Sequence, residues 1–456
     1  MHPTRRRCAL AGRVQGERIL SVCGGADNQA MPAPSGPAPR RAPAGAQAID
    51  ALAMAHAGRD LLSLALIDAR NHTLHLLSLC EEAAGGEAAT AEPQPGTVQP
   101  LWLAGHIGWF SEWWIARNTQ RAFGIECPMR PTRLASIEPR ADEGWSTPSG
   151  GGAELPDAEA TRAYLLETLE CTLELLDRAA ETDAGLYFYR LALFHEDLRG
   201  EELVVIAQTL GLPIGVETPP AVVSREPLLM PATRWTLGRR EGSAGFGFAQ
   251  DGGTLAVDVP AFEIDAQPVS WQQFAEFVDD GGYDRGELWL PGGQAWLAQQ
   301  HGERRAPRHV EQIGAGRRGQ GGAVLQRRFG RVVQAAGHQP AVHLSWWEAD
   351  AWARWAGRRV ATEVEWEIAA QAGAHRGFHW GGVHEWTAGT LRPWPGYRAD
   401  PWSLGTVFDP APAFGEARVL RGASFATRAR LRSPRARHFA LPARDDGFFG
   451  FRTCAL

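Results

Sequence analysis

The chain has 456 residues, a formal net charge of -6 and 44% hydrophobic residues, enough for two or three domains that each bury a core. An acidic balance leaves no basic footprint, which argues against nucleic acid as a partner and for a small-molecule substrate. All 46 basic residues are arginine, so Schiff-base, phosphate-loop and kinase-type lysine chemistry is excluded.

Residues 1–46 are rich in Arg, Pro, Ala and Gly without apolar periodicity and are expected to form a disordered tail. Met31 opens a more typical tail, so residues 1–30 read as an over-extended start. From Gln47 to about Cys80, Leu52, Leu61, Leu62, Ile67, Leu74 and Leu77 recur at helical spacing and predict one long amphipathic helix. A loop from Gly85 to Gln99 ends it, and a second helix runs from Pro100 through His106 and Trp109 to about Arg121.

The Pro-, Gly- and Ser-rich stretch 122–155 predicts a long irregular connection. Asp157 suits the N-cap of a third helix reaching about Ala180, and a fourth spans Ala184 to Leu210. Four amphipathic helices with one long crossover predict a four-helix bundle over 47–212. Pro213, Pro219, Pro220 and Pro227 then mark a linker over 213–230. Beyond it, over 231–456, short β-like runs, many glycines and one strong helix near Ser345 to Ala356 predict an α+β, loop-rich domain.

The six cysteines lie far apart with no C-x-x-C pair, which reads as free thiols and a cytoplasmic location. No apolar run reaches the length of about 18 residues that a membrane span needs, so no membrane partner is expected. His106 lies in a helix otherwise lined by aromatics, where a lone histidine usually belongs to the core. The run His195-Glu196-Asp197-Leu198-Arg199-Gly200-Glu201-Glu202, taken in isolation, reads as a solvated acidic face. His72 and His75 read as the surface of the first helix.

Several C-terminal runs form an ordered series: Phe262-Glu263-Ile264-Asp265, Pro340-Ala341-Val342-His343, Gly381-Gly382-Val383-His384-Glu385-Trp386-Thr387, Val419-Leu420-Arg421-Gly422 and Arg444-Asp445-Asp446-Gly447. The series resembles the sulfatase-modifying-factor superfamily, whose catalytic domain is C-type-lectin-like, as in formylglycine-generating enzymes. Formylglycine generation needs a cysteine pair there, and Cys454 stands alone, so that reaction is excluded.

Joined to the segments around His106 and His195, the series is similar to the ergothioneine and selenoneine synthases, which put a DinB-like four-helix bundle before that domain. The resemblance implies a non-heme Fe(II) enzyme with O2 as co-substrate, forming a C–Se or C–S bond on the imidazole of hercynine. The donor would be a selenosugar or a thiol such as γ-glutamylcysteine, whose carboxylates Arg130, Arg133 and Arg140 could grip. Details around His195 and Arg444 favour the selenoneine branch. An ergothioneine sulfoxide synthase and an iron-free betaine-binding relative that has lost catalysis are the alternatives.

Carried over residue by residue, the resemblance places His106 and His195 on the metal, with Arg199 at the position of an expected third histidine and Glu201 at the motif's last acid. Glu202, seven residues after His195, is the candidate to complete a two-His-one-carboxylate triad. Trp386, Trp402, Asp445, Asp446 and Arg421 are the expected substrate-binding residues. Trp402 stands where the family's proton-donating tyrosine is expected, which leaves Tyr397 as the catalytic candidate.

Overall fold

A computed structural model describes residues 51–83, 98–147, 155–216, 223–300, 304–314, 323–406 and 408–456. The expected tail over 1–46, the first residues of the helix expected from Gln47, most of the 85–99 connection and residues 148–154 of the 122–155 connection lie outside these residues.

Four long helices make up the N-terminal part: α1 (Arg59–Ala83), α2 (Pro100–Ser111), α3 (Ala158–Asp177) and α4 (Asp183–Leu210). They pack on one another through an apolar interior that includes Leu62, Leu66, Leu103, Leu176, Leu191 and Leu203. Local sequence sets their ends. Asp157 accepts from the Ala160 amide at 2.8 Å as the N-cap of α3, and Thr182 accepts from Gly185 for α4 at 3.1 Å. Gly211, with φ near 70°, stops α4 in the left-handed conformation that glycine adopts without strain.

Two helices differ from expectation. The continuous first helix is instead a five-residue helix, Ala51–Ala55, a break at 56–58, and then α1. The Glu181 carboxylate accepts from the Arg59 amide at 3.2 Å, and a Cβ on Gly58 would lie 2.5 Å from that same oxygen. An outside group thus caps the helix where its apolar period carries on. The second helix leaves α geometry at Ser111 and widens into a π-turn over Glu112–Ala116. Buried Glu112 there accepts from Tyr164 Oη at 2.6 Å, the Ile137 amide at 2.7 Å and Ser136 Oγ at 2.8 Å. These bonds tie the π-turn to α3 and to the crossover.

In the C-terminal part, β1 (Leu228–Met230), β2 (Thr233–Arg239), β3 (Gly253–Val259), β4 (Phe262–Ile264), β5 (Val310–Gly314), β6 (Ala323–Arg328) and β7 (Arg331–Ala335) precede β8 (Arg359–Val360) and β9 (His384–Thr390). After them come β10 (Arg418–Gly422), β11 (Arg437–Ala440), β12 (Phe449–Phe451) and β13 (Thr453–Cys454). Two four-stranded sheets run in the orders β1-β4-β13-β8 and β11-β10-β9-β12. In the second, β12 lies parallel to β9, and the other neighbours are antiparallel. Because Leu228–Met230 pairs with Phe262–Ile264, the sheet begins inside the segment read as linker.

The single helix expected here is accompanied by others. Besides α7 (Trp346–Trp355) there are α5 (Trp271–Asp279), α6 (Pro291–Gln299) and α8 (Glu363–Ala372). Reciprocal caps start three of them: Ser270 with Gln273, Ser345 with Glu348 and Thr362 with Glu365. These helices are only nine or ten residues long, so their periodicity is hard to see in the sequence.

The helices and the C-terminal part form one compact unit, and α4 contributes several of the bonds between them. Asp197 takes two bonds from Arg430, at 2.5 and 2.7 Å. Gln208 accepts from the Phe329 amide and donates to the Arg327 carbonyl, both at 2.8 Å. Glu196 and Asp197 are therefore not a solvated face. Both are buried, and Glu196 is held by Arg70 at 2.8 and 3.1 Å and by Thr73 at 2.8 Å. Their cationic partners lie far off in sequence, so the run by itself shows only uncompensated charge.

Candidate functional site

A cleft of about 560 Å³ opens between α2, α4 and the 401–408 loop. Indole and phenyl rings of Trp102, Trp109, Phe110, Trp113, Trp114, Trp402 and Phe408 line it. Arg130, Arg133, Asp142, His106, His195 and Arg199 are its charged and titratable lining.

His106 lies mid-way along α2, a helix buried throughout. Gly105 beside it lets Trp145 pack against the helix, since a Cβ there would sit 2.1 Å from Trp145 Nε1. The Trp145 carbonyl lies 2.8 Å from His106 Nδ1. A carbonyl only accepts, so Nδ1 carries the proton and Nε2 keeps its lone pair. Trp102 and Trp109 stack on the ring at 4.8 and 5.4 Å.

His195 comes from α4. Its ring lies flat on Phe110 at 3.7 Å and 5.4 Å from the His106 ring. Burial, then the charge of Arg199, pushes His106 down to about 3. Burial, Arg199 and His106 hold His195 far below its ordinary range. Both imidazoles are neutral at physiological pH, the form that can ligate a metal.

The third position differs in kind. One helical turn after His195, buried Arg199 directs Nε at His195 Nε2, 3.4 Å away. Its Nη1 pairs with Glu202, and its Cζ lies 4.8 Å over the Phe408 ring. Glu202 is thus the counter-ion of Arg199 and lies outside the cleft lining, so the expected His106–His195–Glu202 triad is not assembled. Asp142, the carboxylate of the cleft wall, is taken up by Arg117 at 2.7 and 2.9 Å and by Trp109 Nε1 at 2.8 Å. Among the described residues no group of three His, Cys, Asp or Glu side chains is placed to hold a metal ion. Two imidazoles beside a permanent cation do not fit a three-ligand iron centre.

Glu201, on the motif's last acid, points the other way. It accepts from His384 Nε2 at 2.9 Å, Ser424 Oγ at 2.5 Å and Thr427 Oγ1 at 2.7 Å, and so bolts α4 to the C-terminal sheet.

Of the five expected substrate-binding residues only Trp402 lines the cleft. Its Nε1 donates to Tyr187 Oη at 3.1 Å, which in turn faces Asp400 Oδ1 at 3.5 Å. Trp386 is buried in the core and donates to the Leu344 carbonyl at 2.8 Å. Arg421 is buried between Glu363 and Glu367. Asp445 pairs with Arg304 and Arg308, and Asp446 pairs with Arg444. Tyr397 packs edge-on against Phe414, away from the cleft, and burial pushes its phenol up to about 12. His72 and His75 also lie outside the cleft lining.

The sequence reading missed Phe408, Asp142 and the Trp145 carbonyl. Asp142 and Trp145 lie in the long crossover and Phe408 in a loop of the C-terminal part, and no periodicity reports the course of either segment.

Residues 237–382 match the sulfatase-modifying factor enzyme 1-like domain family. A hercynine oxygenase of Mycolicibacterium smegmatis is 28% identical over 86% of this chain and 98% of its own length. Over most of its length the chain is thus similar to hercynine oxygenases. A second hercynine oxygenase, from Mycolicibacterium thermoresistibile, is 27% identical over 86% of this chain and 94% of its own. The formylglycine-generating enzyme of Mycobacterium tuberculosis is 32% identical, over 31% of this chain and 51% of its own. That partial likeness fits a hercynine oxygenase relative made of a helical N-terminal part and a C-type-lectin-like C-terminal part. Cys454 in the latter is buried, and burial raises its thiol well above the ordinary range, the opposite of what a reactive cysteine needs.

Proposed function

We propose that this chain binds hercynine, or a betaine of its class, in the cleft between the helices and the 401–408 loop. The observation that carries the reading is the wall of indoles and phenyls beside Arg130 and Arg133. A quaternary ammonium is attracted to aromatic faces, best to Trp, at about 2 kcal/mol when desolvated. Arginine grips the carboxylate of the same zwitterion. The hercynine oxygenase relatives support an oxygen-using enzyme of small molecules as the ancestral activity. At finer grain that activity is C–Se or C–S bond formation on the imidazole, with a selenosugar or γ-glutamylcysteine as donor.

A second reading is an iron-free betaine-binding relative, and the contact of Arg199 with His195 favours it. Isothermal titration with hercynine tests binding. Incubation with Fe(II), O2 and either donor, followed by mass spectrometry, tests turnover. Saturable binding without product is the expected outcome. Product in either donor series would establish the synthase, and absence of hercynine binding would overturn the betaine reading.

A further inference from the structure

We infer that the His106–His195 site is metal-free by construction, with the Arg199 guanidinium standing where a third donor would be. Four residues after His195, Arg199 shares its helix face and points Nε at the His195 Nε2 lone pair. A guanidinium has donors only and does not lose its proton, so it neither coordinates nor gives way to a divalent cation, and its charge repels one.

Two further contacts keep it in place. Glu202 balances its charge from the same helix, and Phe408 lies under its carbon. The same pairing withdraws Glu202, and Arg117 with Trp109 withdraws Asp142. Both of these carboxylates are therefore committed to other partners. What the cleft offers is the fixed cation of Arg199 together with Arg130 and Arg133, two neutral imidazoles and aromatic faces. That set recognises a zwitterionic or carboxylate-bearing small molecule without help from a divalent metal. The metal statement stands on the residues alone, whereas the ligand consequence rests on the betaine reading.

The test loads the full chain anaerobically with Fe(II) or Co(II), desalts it, and reads metal content together with cobalt d–d absorption. The wild type is expected to retain no metal and show no d–d bands. Arg199→His is expected to retain one equivalent with tetrahedral-type bands, and Arg199→His with His106→Ala to lose it. One equivalent in the wild type, lost in His195→Ala, would overturn the inference without requiring any arginine variant to fold. So would an Arg199→His protein with native near-UV circular dichroism that binds no metal. Hercynine titration in EDTA separates the two claims: unchanged affinity supports both. Loss of affinity in EDTA with recovery on adding Fe(II) overturns the metal-free site, and no binding in either condition overturns the betaine reading alone.

Discussion

His384 Nε2 donates to the Glu201 carboxylate at 2.9 Å and thereby fastens the longest helix to the first residue of β9. Burial alone would raise the Glu201 carboxyl. The charge of His384 and the bonds from His384, Ser424 and Thr427 outweigh it and hold the group down at about 2. A carboxyl lowered on folding contributes stability that is present above its ordinary value of 4.5 and is lost as pH falls through its folded value. Glu201→Gln is expected to cost about 3–5 kcal/mol at pH 7, the typical loss when a buried pair is broken from one side. Urea melts from pH 7 to 3 should show wild type and variant converging toward acid. Parallel curves would refute the assignment.

Asp400 behaves in the opposite sense. Burial raises its carboxyl to about 7, against bonds from the Ala249 amide at 2.8 Å and from Tyr187. The folded chain thus holds this proton more tightly than the unfolded chain, and stability falls as pH rises from 3.8 through 7. Asp400→Asn keeps an acceptor and cannot ionise. It should therefore gain on the wild type between pH 4 and 8 by on the order of 2–4 kcal/mol. Thermal melts at the two pH values check the sign.

Gly105→Ala places a methyl 2.1 Å from Trp145 Nε1. The indole must move, and with it the carbonyl that orients His106. Overpacking of this kind costs about 1–3 kcal/mol. Hercynine affinity should fall alongside the melting temperature, and a variant that loses stability but keeps affinity would show that the Trp145 carbonyl does not organise the cleft.

Trp402 and Trp386 are expected to separate cleanly. Trp402→Ala removes an aromatic face of the cleft and should weaken hercynine binding about 5- to 30-fold, the equivalent of about 1–2 kcal/mol of cation–π attraction. Trp386→Phe removes a core hydrogen bond to Leu344 and should lower stability by about 1 kcal/mol with affinity intact. Titration calorimetry and denaturant melts on both variants distinguish the roles.

Much of the helical part was legible because its signals are local. The Asp157 N-cap and the start of α4 one residue before Ala184 rest on residues within one turn of the ends they set. The break before α1 was not legible, because Glu181, which caps Arg59, lies more than a hundred positions away. His106 and His195 carried a motif spacing and do face one another. Arg421, Asp445 and Asp446 carried motif identity too, yet each is consumed by an ion pair. A motif marks that a residue matters to the family's fold or its site without saying which.

By itself the sequence determined the absence of lysine chemistry, the exclusion of a cysteine pair from the C-terminal part, the four long helices and the anomaly at Arg199, because each is a matter of residue identity or short-range periodicity. Only the tertiary structure decided that Glu202 balances Arg199, that Glu201 serves the junction rather than the cleft, and that Trp402 rather than Trp386 faces the ligand space. Those outcomes depend on which distant charge or carbonyl each side chain meets when buried, and desolvation makes that meeting decisive.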